Sequence, residues 1–96
     1  MTLQRLYQII VLRKKNPSAD SYVATLFEQG ADRVIQKVGE EAVEVVIAAK
    51  NESKERMVSE VADLLFHLLV LLVARGIKIS DVLAELEKRS AGENDG

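Results

Sequence analysis

The sequence predicts an all-α protein, an antiparallel helical bundle built around an αα-hairpin and completed by dimerisation. Hydrophobic residues make up 48% of the chain and aromatics only 4%, the balance of a helical bundle whose core is Leu, Val, Ile and Ala. Apolar residues recur every three or four positions, with no two-residue alternation of the kind a half-buried strand shows. The chain has 96 residues, and so small a domain buries a low share of its surface, which favours association. One domain is expected over residues 1–90, followed by a disordered tail over 91–96.

The first helix starts after Thr2, a good N-cap type, and carries Leu3, Leu6, Tyr7 and Ile10 at helical spacing to about Lys15. Asn16-Pro17-Ser18 stops it. A short helix over about Ser21 to Gln29 has Tyr22, Leu26 and Phe27 as core anchors and Gly30 as terminator. From Asp32 to about Lys50 a long helix places Val34, Val38, Val45 and Ala48 on one stripe, with Ile35, Ala42, Val46 and Ala49 beside it. The polar link Asn51-Glu52-Ser53 offers Ser53 as N-cap of a second long helix, about Lys54 to Arg75, closed by Gly76. A link this short makes the two long helices antiparallel neighbours. Ser80 is read as the cap of a last helix, about Asp81 to Arg89, with Val82, Leu83 and Leu86 facing inward.

Composition narrows the chemistry. The formal net charge of −2 implies no general attraction to nucleic acid or to an anionic membrane. Cysteine is absent, so disulfides, thiolate metal sites and cysteine nucleophiles are excluded together. The N-terminal stretch is interrupted by Arg5, followed by Arg13-Lys14-Lys15, and has no small-residue cleavage site, so it is not read as a signal peptide. The most apolar run, Leu64 to Ala74, falls short of the roughly 20 residues that span a bilayer. A cytoplasmic protein is expected.

Two carboxylate sets stand out: Glu40, Glu41 and Glu44 on the first long helix, and Glu60 and Asp63 on the second. The pairs Glu41/Glu44 and Glu60/Asp63 each have i, i+3 spacing, which puts both acids on one helix face with Cβ atoms about 5–6 Å apart. In an antiparallel hairpin turning at Glu52, Glu41 lies level with Asp63, and Glu44 with Glu60. Glu41 also interrupts the stripe Val34, Val38, Val45, Ala48, where an apolar residue would otherwise meet the partner helix. Four acids gathered on partly apolar faces repel one another, and neither motif contains a Lys or Arg to neutralise them. A divalent cation does so, and an all-oxygen ligand set suits Mg²⁺, with Mn²⁺ as substitute. A di-iron site is disfavoured, because neither long helix has the Glu-x-x-His motif.

The motif Glu-Glu-x-x-Glu followed by Glu-x-x-Asp on the next helix resembles the all-α nucleotide pyrophosphohydrolase (MazG-like) superfamily. Three longer stretches are similar to the phosphoribosyl-ATP pyrophosphohydrolase family, and the similarity runs from Leu3 to Arg89. They are Ser21-Tyr22 before Leu26-Phe27-x-x-Gly30, the segment Lys37 to Lys50, and the segment Glu60 to Leu72. The resemblance implies a homodimer that hydrolyses phosphoribosyl-ATP to phosphoribosyl-AMP and pyrophosphate with Mg²⁺, the second step of histidine biosynthesis. It also implies Glu41, Glu44, Glu60 and Asp63 as metal ligands, with Glu40 completing the first motif. The family often carries a fused cyclohydrolase domain, for which this chain has neither length nor zinc-binding cysteines, so the pyrophosphohydrolase alone is expected.

The base that takes the water's proton is expected to be Glu40 or Glu44. Lys37, one turn before Glu41, is the first candidate for a phosphate contact, followed by Lys50 and Arg89. Ser21 and Tyr22 enter the substrate set through the family-like stretch, with core packing explaining Tyr22 equally well. His67, one turn beyond Asp63, is placed to orient a ligand or phosphate, although a hydrogen-bonded buried histidine is the simpler reading. Two other functions fit the same residues: a house-cleaning hydrolase of non-standard nucleoside triphosphates, and a non-catalytic helical dimerisation module.

Overall fold

The computed structural model describes residues 1–51 and 53–94. Among them the chain forms helices only, in the order α1 (Leu3–Lys15), α2 (Tyr22–Gln29), α3 (Ala31–Asn51), α4 (Lys54–Ala74) and α5 (Ile79–Asn94). Local hydrogen bonds mark each boundary. The Thr2 hydroxyl accepts from the Arg5 amide at 3.0 Å, and the Ser21 hydroxyl accepts from Ala24 at 3.1 Å. Ser53 caps α4 in the same way, accepting from the Arg56 amide at 3.3 Å. Gly30, at φ 100°, turns the chain from α2 directly into α3. At the end of α4, Gly76 takes φ 68° while its amide donates to Val73 and the Ile77 amide donates to Leu72. Those two bonds form a Schellman motif that satisfies carbonyls left open by the last turn.

The antiparallel pair α3 and α4 makes the most extensive contact in the molecule, with α1 laid against α4 and α2 against α3. The core lies where these helices meet and is built from Ile10, Val23, Leu26, Val34, Leu69, Val70, Val73 and Ile79. Tyr7 donates its hydroxyl proton to the Ile77 carbonyl at 2.8 Å, which fastens α1 to the α4–α5 turn.

Four local expectations are corrected. Ser80 does not cap α5: the helix begins at Ile79, whose buried side chain belongs to the core. The helix also continues to Asn94 through residues read from sequence as tail, there being no proline to stop it, while Asp95 and Gly96 lie outside the described residues. Leu86 is exposed rather than inward-facing, and Tyr22 is 47% exposed, its neighbour Val23 taking the buried position on α2.

The chain is open for its size. Its radius of gyration is 15.0 Å, against about 12.5 Å for a compact chain of this length. Its accessible surface is 6784 Å², against roughly 5,500 Å² for a compact monomer of this mass. Much of the excess is apolar: Val43, Val46 and Ile47 on α3, and Met57, Val58 and Leu65 on α4, are exposed. Helix α4, with 21 residues and an 18-residue stretch of mean hydropathy 2.0, meets the length and composition of a bilayer span even though the run Leu64 to Ala74 does not. Glu60 and His67, buried on its inner side, and exposed Asp63 interrupt that apolar surface.

Candidate metal centre

Pairing α3 with α4 brings Glu41, Glu60 and Asp63 together, with one carboxylate oxygen from each within 4.8 Å of the other two. The register centred on the inter-helix link is the one that sets these side chains level. Glu60 is 5% exposed, Glu41 is partly buried, and Asp63 opens to solvent. Oxygens sharing one Mg²⁺ stand roughly 3–4 Å apart, so inward rotation of these side chains would close the trio on such an ion. Three hard oxygen donors, one of them buried, fit Mg²⁺ or Mn²⁺ by charge and ligand type.

Glu44 stands beside the trio, and its Oε2 lies 3.8 Å from the Arg56 guanidinium. The same guanidinium reaches Glu60 Oε1 at 3.3 Å. Lys37 Nζ lies 3.2 Å from Glu41 Oε1 and 3.6 Å from Glu40 Oε1. The hydrogen bond to Glu41 holds the Lys37 pKa above the ordinary 10.5 against an opposing desolvation, with the charges of Glu41 and Glu40 adding to it. Glu40 points outward, accepting a hydrogen bond from Gln36 Nε2 at 3.0 Å, with Arg33 3.9 Å away. The two motifs hold no cation, as read from sequence, but the turn before each supplies one. Arg56 is the residue that the sequence reading missed, and its i, i+4 spacing to Glu60 is the signal that would have found it.

His67 is buried. Its Nδ1 lies 2.7 Å from the Asp63 carbonyl, and its Nε2 lies 2.7 Å from the Tyr22 hydroxyl. A carbonyl only accepts, so Nδ1 carries the proton and Nε2 of the neutral ring accepts from Tyr22. The Tyr22 ring stacks on Phe66 with centroids 6.3 Å apart. The remaining candidates are not drawn into this network. Ser21 is committed to capping α2, Lys50 is exposed near the end of α3, and Arg89 on α5 pairs with Glu85 at 3.2 Å. Clefts elsewhere, one lined by Lys14, Pro17, Thr25 and Phe27 and another by Met57, Val58, Val61 and Leu65, carry no comparable grouping of acids.

The family model described as phosphoribosyl-ATP pyrophosphohydrolase matches residues 3–90, which include every acid of the cluster. The chain belongs to the phosphoribosyl-ATP pyrophosphohydrolase family. Among its relatives is the histidine biosynthesis bifunctional protein HisIE of Caldanaerobacter subterraneus subsp. tengcongensis. It is 54% identical over 87 residues, covering 91% of this chain and 42% of that protein. The phosphoribosyl-ATP pyrophosphatase of Limosilactobacillus fermentum is 47% identical over 93 residues, 97% of this chain and 88% of the relative. That of Clostridium botulinum strain Hall is 48% identical over 87 residues, 91% of this chain and 79% of the relative. The chain therefore spans about two fifths of the bifunctional relative and most of the length of the two pyrophosphatases. The two pyrophosphatases among these relatives are hydrolases by name.

Proposed function

We propose that this chain hydrolyses phosphoribosyl-ATP to phosphoribosyl-AMP and pyrophosphate, the second step of histidine biosynthesis, as a cytoplasmic homodimer dependent on Mg²⁺. The carrying observation is the convergence of Glu41, Glu60 and Asp63, within 4.8 Å of one another on two helices of a chain from this family. Cleaving an α–β phosphoanhydride places negative charge on a pyrophosphate leaving group, and bound Mg²⁺ supplies the charge that stabilises it. Glu41, Glu60 and Asp63 hold the ion, with Glu44 as a fourth ligand or as the proton acceptor.

Glu44 is better suited than Glu40 to take the proton of the attacking water. Its side chain is 46% exposed beside the trio, with one distant cation at 3.8 Å. Glu40 is held outward by Gln36, Arg33 and Lys37. Lys37 lies nearest the acids among the candidate phosphate contacts, with its charge secured by Glu41. The exposed apolar faces of α3 and α4, together with the large accessible area, support a second copy of the chain as the covering partner.

A pyrophosphate-release assay on phosphoribosyl-ATP, with and without Mg²⁺, tests the reading. Glu41→Gln is expected to lower Mg²⁺-dependent turnover by at least about 10²-fold while leaving the circular-dichroism spectrum unchanged. Full turnover by that variant overturns the ligand assignment. Faster hydrolysis of dUTP or dCTP than of phosphoribosyl-ATP identifies a house-cleaning enzyme instead.

A further inference from the structure

We infer that Lys37 and Arg56 are resident counter-ions of the acid cluster, displaced when a divalent cation binds and then free to hold the polyphosphate of the substrate. This rests on the proposal that Glu41, Glu60 and Asp63 bind the metal, and it adds how the site is kept intact beforehand.

Each long helix contributes one cation, a turn before its acid motif. Lys37 sits 3.2 Å from Glu41, and Arg56 sits 3.3 Å from Glu60 and 3.8 Å from Glu44. Glu60 is buried, and Arg56 is its only ion-pair partner among the described residues. A buried carboxylate left without a partner is costly. Asp63 has no ion-pair partner among the described residues. Five carboxylates, Glu40, Glu41, Glu44, Glu60 and Asp63, face three cations, Arg33, Lys37 and Arg56. With those cations in place the cluster keeps a net charge of −2, which attracts a divalent ion.

A divalent ion on the same carboxylates repels both nearby cations and takes over their role. Lys37 and Arg56 then lie on the two helices beside the metal-bound acids, with donors suited to phosphate oxygens. Arg56 is half exposed, so its guanidinium has room to swing outward, whereas Lys37 is only 19% exposed and leaves Glu41 by a shorter movement. One pair of side chains thereby serves the metal-free and the substrate-bound protein in turn.

The test is calorimetric. Mn²⁺ is titrated into the wild-type protein, Lys37→Met and Arg56→Met, and inorganic pyrophosphate is then titrated into each protein saturated with Mg²⁺. Removing one positive charge is expected to tighten Mn²⁺ binding about three- to tenfold and to weaken pyrophosphate binding by a similar factor. Arg56→Lys, which keeps the charge, returns both values toward wild type. In EDTA the Met variants melt below wild type, and saturating Mg²⁺ narrows the gap. These opposite signs are not produced by a purely structural role. Unchanged or weaker Mn²⁺ binding in both Met variants overturns the counter-ion role, and unchanged pyrophosphate binding overturns the hand-over to phosphate. Absence of Mn²⁺ binding by the wild-type protein instead removes the metal reading itself.

Discussion

Tyr22 donates to His67, whose other ring nitrogen donates to the backbone carbonyl of Asp63. This chain of bonds ties the half-exposed start of α2 to the helix that carries two of the clustered acids. The hydroxyl in Tyr22→Phe is lost while the ring keeps its stacking on Phe66, so the expected cost is about 0.5–1.5 kcal/mol, read by urea denaturation. An unchanged midpoint would mean that water replaces the hydroxyl without loss. Little of this was readable from the residues alone. Tyr22 invited a core reading because it is apolar at helical spacing, and only the placement of α2 against the hairpin shows its hydroxyl aimed at a buried imidazole. His67 was legible as a buried histidine, since it sits one turn from Asp63 on an otherwise apolar helix, but its partners come from tertiary structure. Arg56 was missed because an i, i+4 Arg–Glu spacing reads as an ordinary exposed helix pair until Glu60 is seen to be buried.

The α3–α4 hairpin is where sequence and structure agree most closely. The helical period, the polar link and Ser53 place both helices to within a residue or two, and the level pairing of acids follows from the antiparallel register. Ser53 caps α4 at the link, so Ser53→Ala is expected to destabilise the protein by about 1 kcal/mol. Thermal melting in EDTA measures that loss, and a loss below about 0.3 kcal/mol would show that the cap is replaced by solvent. The start of α5 was read two residues late. Ser80 looked like a cap by type, whereas the buried Ile79 draws the chain into helix earlier. Local capping preference gave way there to burial of a large apolar side chain, a competition decided by the rest of the fold.

For the whole molecule, the composition and the length already pointed to association, and the structure adds an area. The accessible surface of 6784 Å² exceeds that of a compact monomer by roughly 1,300 Å². A standard interface takes about 800 Å² from each partner, so the proposed second copy would cover much of the excess. Val58 is 61% exposed on α4, where a charge costs the isolated protomer little, within about 0.5 kcal/mol. Val58→Glu is therefore expected to halve the mass measured by analytical ultracentrifugation without loss of helicity. An unchanged mass would place the contact on another face. Which apolar residues face the partner and which face the core was not legible, because Val46 and Val45, or Leu68 and Leu69, differ in burial but not in kind.

All five clustered carboxylates and their three cations lie between Arg33 and Asp63, on consecutive helices. Contacts made between neighbours in sequence form fast, because little loop entropy is lost in closing them. Like-charge repulsion is therefore present from the first collapse of the hairpin, before α5 has docked. Dissolved magnesium is thus expected to speed refolding as well as to support turnover.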